Sequence, residues 1–329
     1  MSDPLALDTV TGDGAAPTRH KPVVRRLVAL AVLALVVHIV LPQLTSGGTA
    51  VRSVGPFQWQ WLPVVVLASV LTYVMAGLSM AAASGHHLPF GRTFIAQLAA
   101  AFANRLLPAG VGAMATNVRY LERVGATHAD AALAVGLDSA AGFVVHASAL
   151  VTLSVVFRSS HQHFSMHSPD VPDNWPLLVA VAGLMSLIGI TMATARLRGR
   201  LGPSIRGAFD HVRAVGHAPR RGSRLLAASA GTTTAYALAL CAAVQATGGG
   251  PSVLSVVAVY LGGSALAAAA PTPGGLGAVE ASLIAGLTSV GQPVGAAVTA
   301  VLVFRLVTYW APVIPGGMSF WALRRAGAL

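Results

Sequence analysis

Charge is scarce in this chain. Only 9% of its 329 residues are charged, against 55% hydrophobic. That balance excludes an ordinary water-soluble domain, whose surface needs far more charge. Lysine is nearly absent: Lys21 stands alone, and the net charge of +11 is carried by arginine. Cysteine is limited to Cys241, inside an apolar run, which excludes a disulfide framework and a cysteine-based metal site. No nucleophile stands at motif spacing from a base, and neither a phosphate-cradling Walker loop nor a zinc-helix motif occurs. The reading therefore includes no cofactor and no metal. With no ATP-binding motif, no ATP-driven step is expected.

What the chain does have is apolar length. Several runs of about 20 residues carry almost no charge, the length needed to cross a hydrocarbon core. The positive charge sits at the ends of these runs, as the positive-inside rule places it. Nucleic acid is therefore not the expected partner. Spans are expected near 23–41, 62–83, 129–157, 175–195, 225–246 and 293–321. Residues 1–20 are polar and read as a disordered cytoplasmic tail, leaving 21–329 as a single membrane domain. Trp59 and Trp61 mark an interface. His161, His163 and His167 lie in the loop 158–174. They read as part of a flexible external loop more readily than as a metal site.

Two further apolar segments are interrupted. Pro271-Thr-Pro-Gly-Gly-Leu-Gly-Ala-Val-Glu280 breaks one, and Pro108-Ala-Gly-Val-Gly-Ala113 breaks the other. Proline cannot donate a backbone hydrogen bond, and clustered glycine weakens helix. Broken backbone at membrane depth is tolerated only where protein or a wet cavity covers it. The pieces flanking each break are too short to span alone, so each segment is expected to be a re-entrant helical hairpin. Pro108–Ala113 aligns with Pro273–Ala278 at an offset of 165 residues, close to half the chain. With one residue inserted, Gly125 meets Gly291 and Ala131 meets Ala297. The expected fold is an all-α polytopic membrane protein, with about six transmembrane helices plus two re-entrant hairpins in inverted repeats. Repeat one covers about 21–165 and repeat two about 166–325. Both termini then face the cytoplasm with the 196–224 arginines, and the opposite side receives only Arg52 and Arg158.

The candidate site residues gather around the breaks. Glu280 and Arg305 are expected at similar depth, either as a structural ion pair or as a pair that opens to an ionic headgroup. Asn104 and Arg105 flank the first break. Arg105 is open between contacting a phosphate in a fork and snorkelling to the interface. Pro108, Gly110 and Gly112, with Pro273, Gly274, Gly275 and Gly277, shape backbone that can present N–H groups to an anion. Half-helices are expected to start at Met114 and Val279. Arg119 and Asp138 complete the candidate set, with either Ser139 or a neighbouring helix as the hydrogen-bond partner of Asp138. His146 reads as a lone core histidine.

These residues resemble a known family. P-T-P-G-G-L-G-A-V-E with Arg305 on the next span, and N-R-L-L-P-A-G-V-G followed by Arg119 and Gly125, resemble signatures of the lysylphosphatidylglycerol synthase transmembrane-region family, also called flippase-like. The resemblance covers roughly 20–325. It implies a multi-pass cell-membrane protein that moves or presents lipids, a lipid translocase holding an anionic or phosphate-bearing headgroup between the hairpins. The alternative is a membrane subunit of a lipid-modifying transferase or another intramembrane enzyme. Expected partners are membrane lipids, with either a second copy or a separate lipid-modifying enzyme as protein partner. In bifunctional members a soluble aminoacyltransferase domain follows. Here the chain stops at Leu329, so aminoacyl transfer by this chain is not expected.

Overall fold

The computed structural model describes residues 57–107, 110–159, 218–268, 275–327 and 329, all within one unit, Leu44–Leu329. Expected spans 23–41 and 175–195, the 1–20 tail, the three loop histidines and most of the arginine-rich segment lie outside the described residues. So do Pro108, Pro273 and Gly274.

Every regular element among the described residues is helical. A single 3₁₀ turn, Trp59–Trp61, leads into α1 (Leu62–Ser84). Pro63 occupies the first turn of α1, where a missing N–H costs nothing. Gly85, at φ 68, ends it in a left-handed cap. There follow α2 (Phe90–Leu106), α3 (Val111–Arg123) and α4 (His128–Ser159). After the undescribed segment come α5 (Pro219–Ala246), α6 (Val253–Ala268), α7 (Ala278–Ser289), α8 (Val294–Arg305) and α9 (Val313–Arg325). Among the described residues four stretches are long and apolar enough to cross a membrane: Trp59–Ser84, His128–Phe157, Pro219–Ala246 and Val294–Arg325.

Three boundaries differ from expectation. The fifth span begins at Pro219 rather than near Leu225. Arg221 explains the extension: its Nε and Nη2 donate to the carbonyls of Ala82 and Ala83, each at 2.7 Å, and so dock the first turn of α5 on the C-terminus of α1. The half-helices begin at Val111 and Ala278, not at Met114 and Val279, because Gly110 and Gly277 take up positive φ and release the chain into helix at once. The last span is not one regular helix. Leu306–Trp310 forms a π turn, closed by the Ala311 N–H on the Leu306 carbonyl at 2.7 Å. Pro312 follows and cannot donate to a helix carbonyl, so the turn before it widens.

Helices α1 and α5 run antiparallel and form the broadest contact. Ser79 meets Ser229 at 3.2 Å, and the Gln58 N–H donates to the Ala246 carbonyl at 2.8 Å. Their contact is rich in small residues: Ala228, Ser229, Ala235, Ala239 and Ala243 are buried on α5. In lipid, apolar burial gives helices no reason to associate, so close backbone approach and van der Waals contact hold them together. The same logic holds at Gly316 of α9, where an added Cβ would lie 2.7 Å from the Leu98 carbonyl oxygen of α2. Outward faces stay apolar, with Leu67, Val155, Ile314 and Met318 exposed.

The short helices pair in antiparallel fashion. In α2–α3, Thr93 Oγ1 meets Tyr120 Oη at 3.0 Å, Gln97 Nε2 donates to Asn117 Oδ1 at 3.2 Å, and Gly112 lies against the Ala103 carbonyl. In α6–α7, Ser282 Oγ donates to the Gly263 carbonyl at 2.9 Å, and Gly286 lies against Val259.

Candidate functional site

The two breaks bring their charged neighbours to one tyrosine. Arg105 ends α2, and its guanidinium carbon lies 4.7 Å from the centroid of the Tyr309 ring. Arg305 ends α8 and lies 4.1 Å from the same centroid. A guanidinium over an aromatic face gains roughly 0.5–2 kcal/mol, more when water is excluded. Here one ring serves two cations. It is placed by the π turn, which carries Tyr309 one helical step beyond Arg305.

Glu280 is the carboxylate of the cluster. Arg305 Nε donates to its Oε1 at 2.6 Å, and both residues are buried, 7% and 6% exposed. The expected pair is therefore present. Glu280 does a second job. Its Oε2 accepts the Gly277 N–H at 2.7 Å, half of a capping box at the start of α7. The positive end of the helix dipole adds to that attraction.

The arrangement is under-satisfied. Arg105 reaches the Tyr73 hydroxyl through Nη2 at 3.4 Å, but its Nε and Nη1 are buried without a hydrogen-bond partner. The same is true of Arg305 Nη2 and Asn104 Oδ1. Buried donors normally find acceptors, and leaving a charged one unmade costs more than leaving a neutral one. Among the described residues, then, two guanidinium groups share the Tyr309 ring, only Arg305 bonds a carboxylate, and the Arg105 charge with its N–H donors is uncompensated. Unmet guanidinium donors of this kind are able to bind an anion. Arg105 lies in this cluster, against Tyr309 and the Tyr73 hydroxyl. Four of the five tyrosines gather here: Tyr73, Tyr309 and the stacked pair Tyr236–Tyr260, 6.2 Å between centroids. Sequence reasoning did not single out Tyr309 or Tyr73. An Arg305–Tyr309 spacing of one turn was the available signal.

The other candidates lie elsewhere. Arg119 is half exposed at the end of α3 and donates to Glu122 Oε2 at 3.1 Å. Hydrogen bonds from His128 and then Arg119 hold the Glu122 carboxyl below its ordinary range. Of the two expected partners of Asp138 it is the neighbouring helix that serves: Ser79 Oγ of α1 donates to it, while the Ser139 hydroxyl turns back to the Val135 carbonyl. In a helix, a serine side chain reaches its own preceding turn more easily than its neighbour in sequence. His146 Nε2 lies 3.0 Å from the Leu261 carbonyl of α6, a packed position as expected. Gly110, Gly275 and Gly277 all have positive φ. Among the described residues no group of three or more His, Cys, Asp or Glu side chains is placed to hold a metal ion.

A family model described as the lysylphosphatidylglycerol synthase TM region matches residues 26–316. The chain belongs to the lysylphosphatidylglycerol synthase transmembrane-region family. With four helices of spanning length, this family member is an integral membrane protein. The matched region contains the whole Asn104–Arg105–Glu280–Arg305–Tyr309 cluster. Comparison with curated proteins returned no match.

Proposed function

We propose that this protein is a lipid translocase that binds a phosphate-bearing headgroup at the Arg105–Tyr309–Arg305 cluster, between two re-entrant hairpins. The observation that carries the reading is the set of buried guanidinium donors without acceptors. A phosphate diester would supply acceptor oxygens and a compensating charge, and guanidinium meets phosphate with two parallel hydrogen bonds.

A correspondence between the two halves of the chain supports it. The offset that carries His128 onto Val294 also carries Ser159 onto Arg325, so α4 maps onto α8–α9. Two antiparallel helical hairpins beside antiparallel α1 and α5 fit a pseudo-two-fold axis in the membrane plane. Charge supports an orientation. Arg92, Arg123, Arg220, Arg324 and Arg325 all lie at the bundle end where α1 stops and α5 starts, which we assign to the cytoplasm. The first hairpin then enters from the cytoplasmic side and the second from outside.

The test is a scrambling assay with the purified chain in liposomes carrying a fluorescent anionic phospholipid. Translocation by the parent chain, with strong loss in Arg105→Gln and Arg305→Gln, is the expected result. No translocation of any lipid offered by a folded parent chain overturns the proposal. A second reading is favoured by the family's description, which names a synthase: a membrane subunit of a lipid-modifying enzyme. Altered lipid products in a deletion strain, with no scrambling by the purified chain, would select it.

A further inference from the structure

A second site lies away from the central cluster, where α1 ends and α5 begins. An open cavity of about 850 Å³ is lined there by Arg220, Arg221 and Arg224, by His86 and His87, and on its inner wall by apolar side chains including Met75 and Leu78. Among the described residues no acidic side chain lines it. Arg221 is fixed on the carbonyls of Ala82 and Ala83 and forms part of the frame. Arg220 and Arg224 are exposed on the first turns of α5, and neither side chain makes a hydrogen bond or ion pair among the described residues. His86 is steadied by Ser84, whose hydroxyl and carbonyl meet its N–H and Nδ1 at 3.3 and 3.1 Å.

The shape of the cavity matters as much as its charge. Its wall descends α1 from Gly85 to Met75. At 1.5 Å per residue that is a depth of roughly 15 Å, about half of a 30 Å hydrocarbon core. The lower wall stays apolar because Leu78, 43% exposed, points away from the bundle, and because Ala227 and Ala228 on α5 leave room beside it. The cavity is therefore cationic at headgroup height and apolar over the depth of one leaflet. A soluble phosphate compound would use only the mouth. A phospholipid uses both parts.

We propose that this cavity is a binding site for one anionic phospholipid of the adjacent leaflet, its phosphate held by Arg220 and Arg224 and one acyl chain laid along Met75 and Leu78. The site shares no residue with the Glu280–Arg305 cluster, so the inference stands whether or not that cluster carries a headgroup.

The experiment is native mass spectrometry of the full chain, released from detergent with phosphatidylglycerol or phosphatidylcholine titrated in. The parent should retain one phosphatidylglycerol far more strongly than phosphatidylcholine. Near a membrane surface each arginine contributes about 1 kcal/mol toward an anionic lipid, so the double variant Arg220→Gln/Arg224→Gln should lose the preference by roughly 30-fold. Leu78→Trp fills the apolar wall, leaves every charge in place, and should also lose the lipid. Glu280→Gln should keep it. Equal retention of the two lipids by the parent, or undiminished phosphatidylglycerol binding in the double variant, overturns the site. Undiminished binding in Leu78→Trp, or displacement of the lipid by millimolar inorganic phosphate, would show a surface anion site with no acyl component, and overturns the proposal as well.

Discussion

Glu280 shows how one side chain can serve two structures. Its two oxygens are divided between Arg305 and the Gly277 N–H. Glu280→Gln keeps an acceptor for the cap, since glutamine serves at that position too, but removes the charge facing Arg305. Glu280→Ala removes both. Thermal melting should therefore place alanine below glutamine by about 1 kcal/mol, the usual worth of a cap. Both should fall well below the parent, because breaking a buried ion pair costs roughly 3–5 kcal/mol. If glutamine melts with the parent, the pair contributes nothing to folding. A second comparison separates two arginines that look alike in the sequence. Arg105 has unmet buried donors, whereas Arg119 is half exposed and paired with Glu122. A hydrogen bond to a charged group is worth roughly 1.5–3 kcal/mol, so Arg105→Gln should lower lipid transport about tenfold or more. Arg119→Gln should change it little, since exposed pairs contribute under about 1 kcal/mol. Equal losses in the two variants would move the site to the end of α3.

The helices of this chain are joined by what their small residues allow. Gly316 lets α9 lie on the backbone of α2, and a methyl there would sit 2.7 Å from the Leu98 carbonyl oxygen. Backbone cannot rotate out of the way as a side chain can. Gly316→Ala should destabilise the purified protein by about 1–3 kcal/mol, read as a fall in melting temperature. Gly317→Ala, whose nearest neighbour is the Phe102 ring at 3.4 Å, should cost clearly less. A melting point unchanged in Gly316→Ala would mean that α9 is not seated on α2. The hairpin proposal has its own test. Leu107 borders the first break and Leu276 the second. If both breaks face water, cysteines at these positions should react with small aqueous thiol reagents, each faster from its own side of the membrane. Inert thiols at both would leave the breaks as buried kinks.

For the molecule as a whole, orientation is the claim to test, because the described charges gather at one end. Gln60 lies at the other end, exposed beside Trp59. In a Cys241→Ser background, Gln60→Cys should be labelled by an impermeant maleimide in intact cells, and Arg325→Cys only after the cells are opened. The reverse pattern would invert the protein in the membrane.

Membrane helices and the two broken segments were legible in the sequence because lipid is an unforgiving solvent. It demands about 20 apolar residues per crossing and penalises every bare backbone group, so hydropathy, Pro108, Pro273 and the glycines beside them speak plainly. Glu280 and Arg305 stood out for the same reason: charge in an apolar run is conspicuous. Which charge meets which was a different matter. That Arg105 shares Tyr309 with Arg305, that Arg119 is taken by Glu122, and that Asp138 turns to Ser79 depend on how distant helices cross. Those crossings follow from close contacts such as Gly112 on Ala103 and Gly316 on Leu98. Hydropathy carries no record of them, because lipid-facing and helix-facing residues are equally apolar and only side-chain size tells them apart.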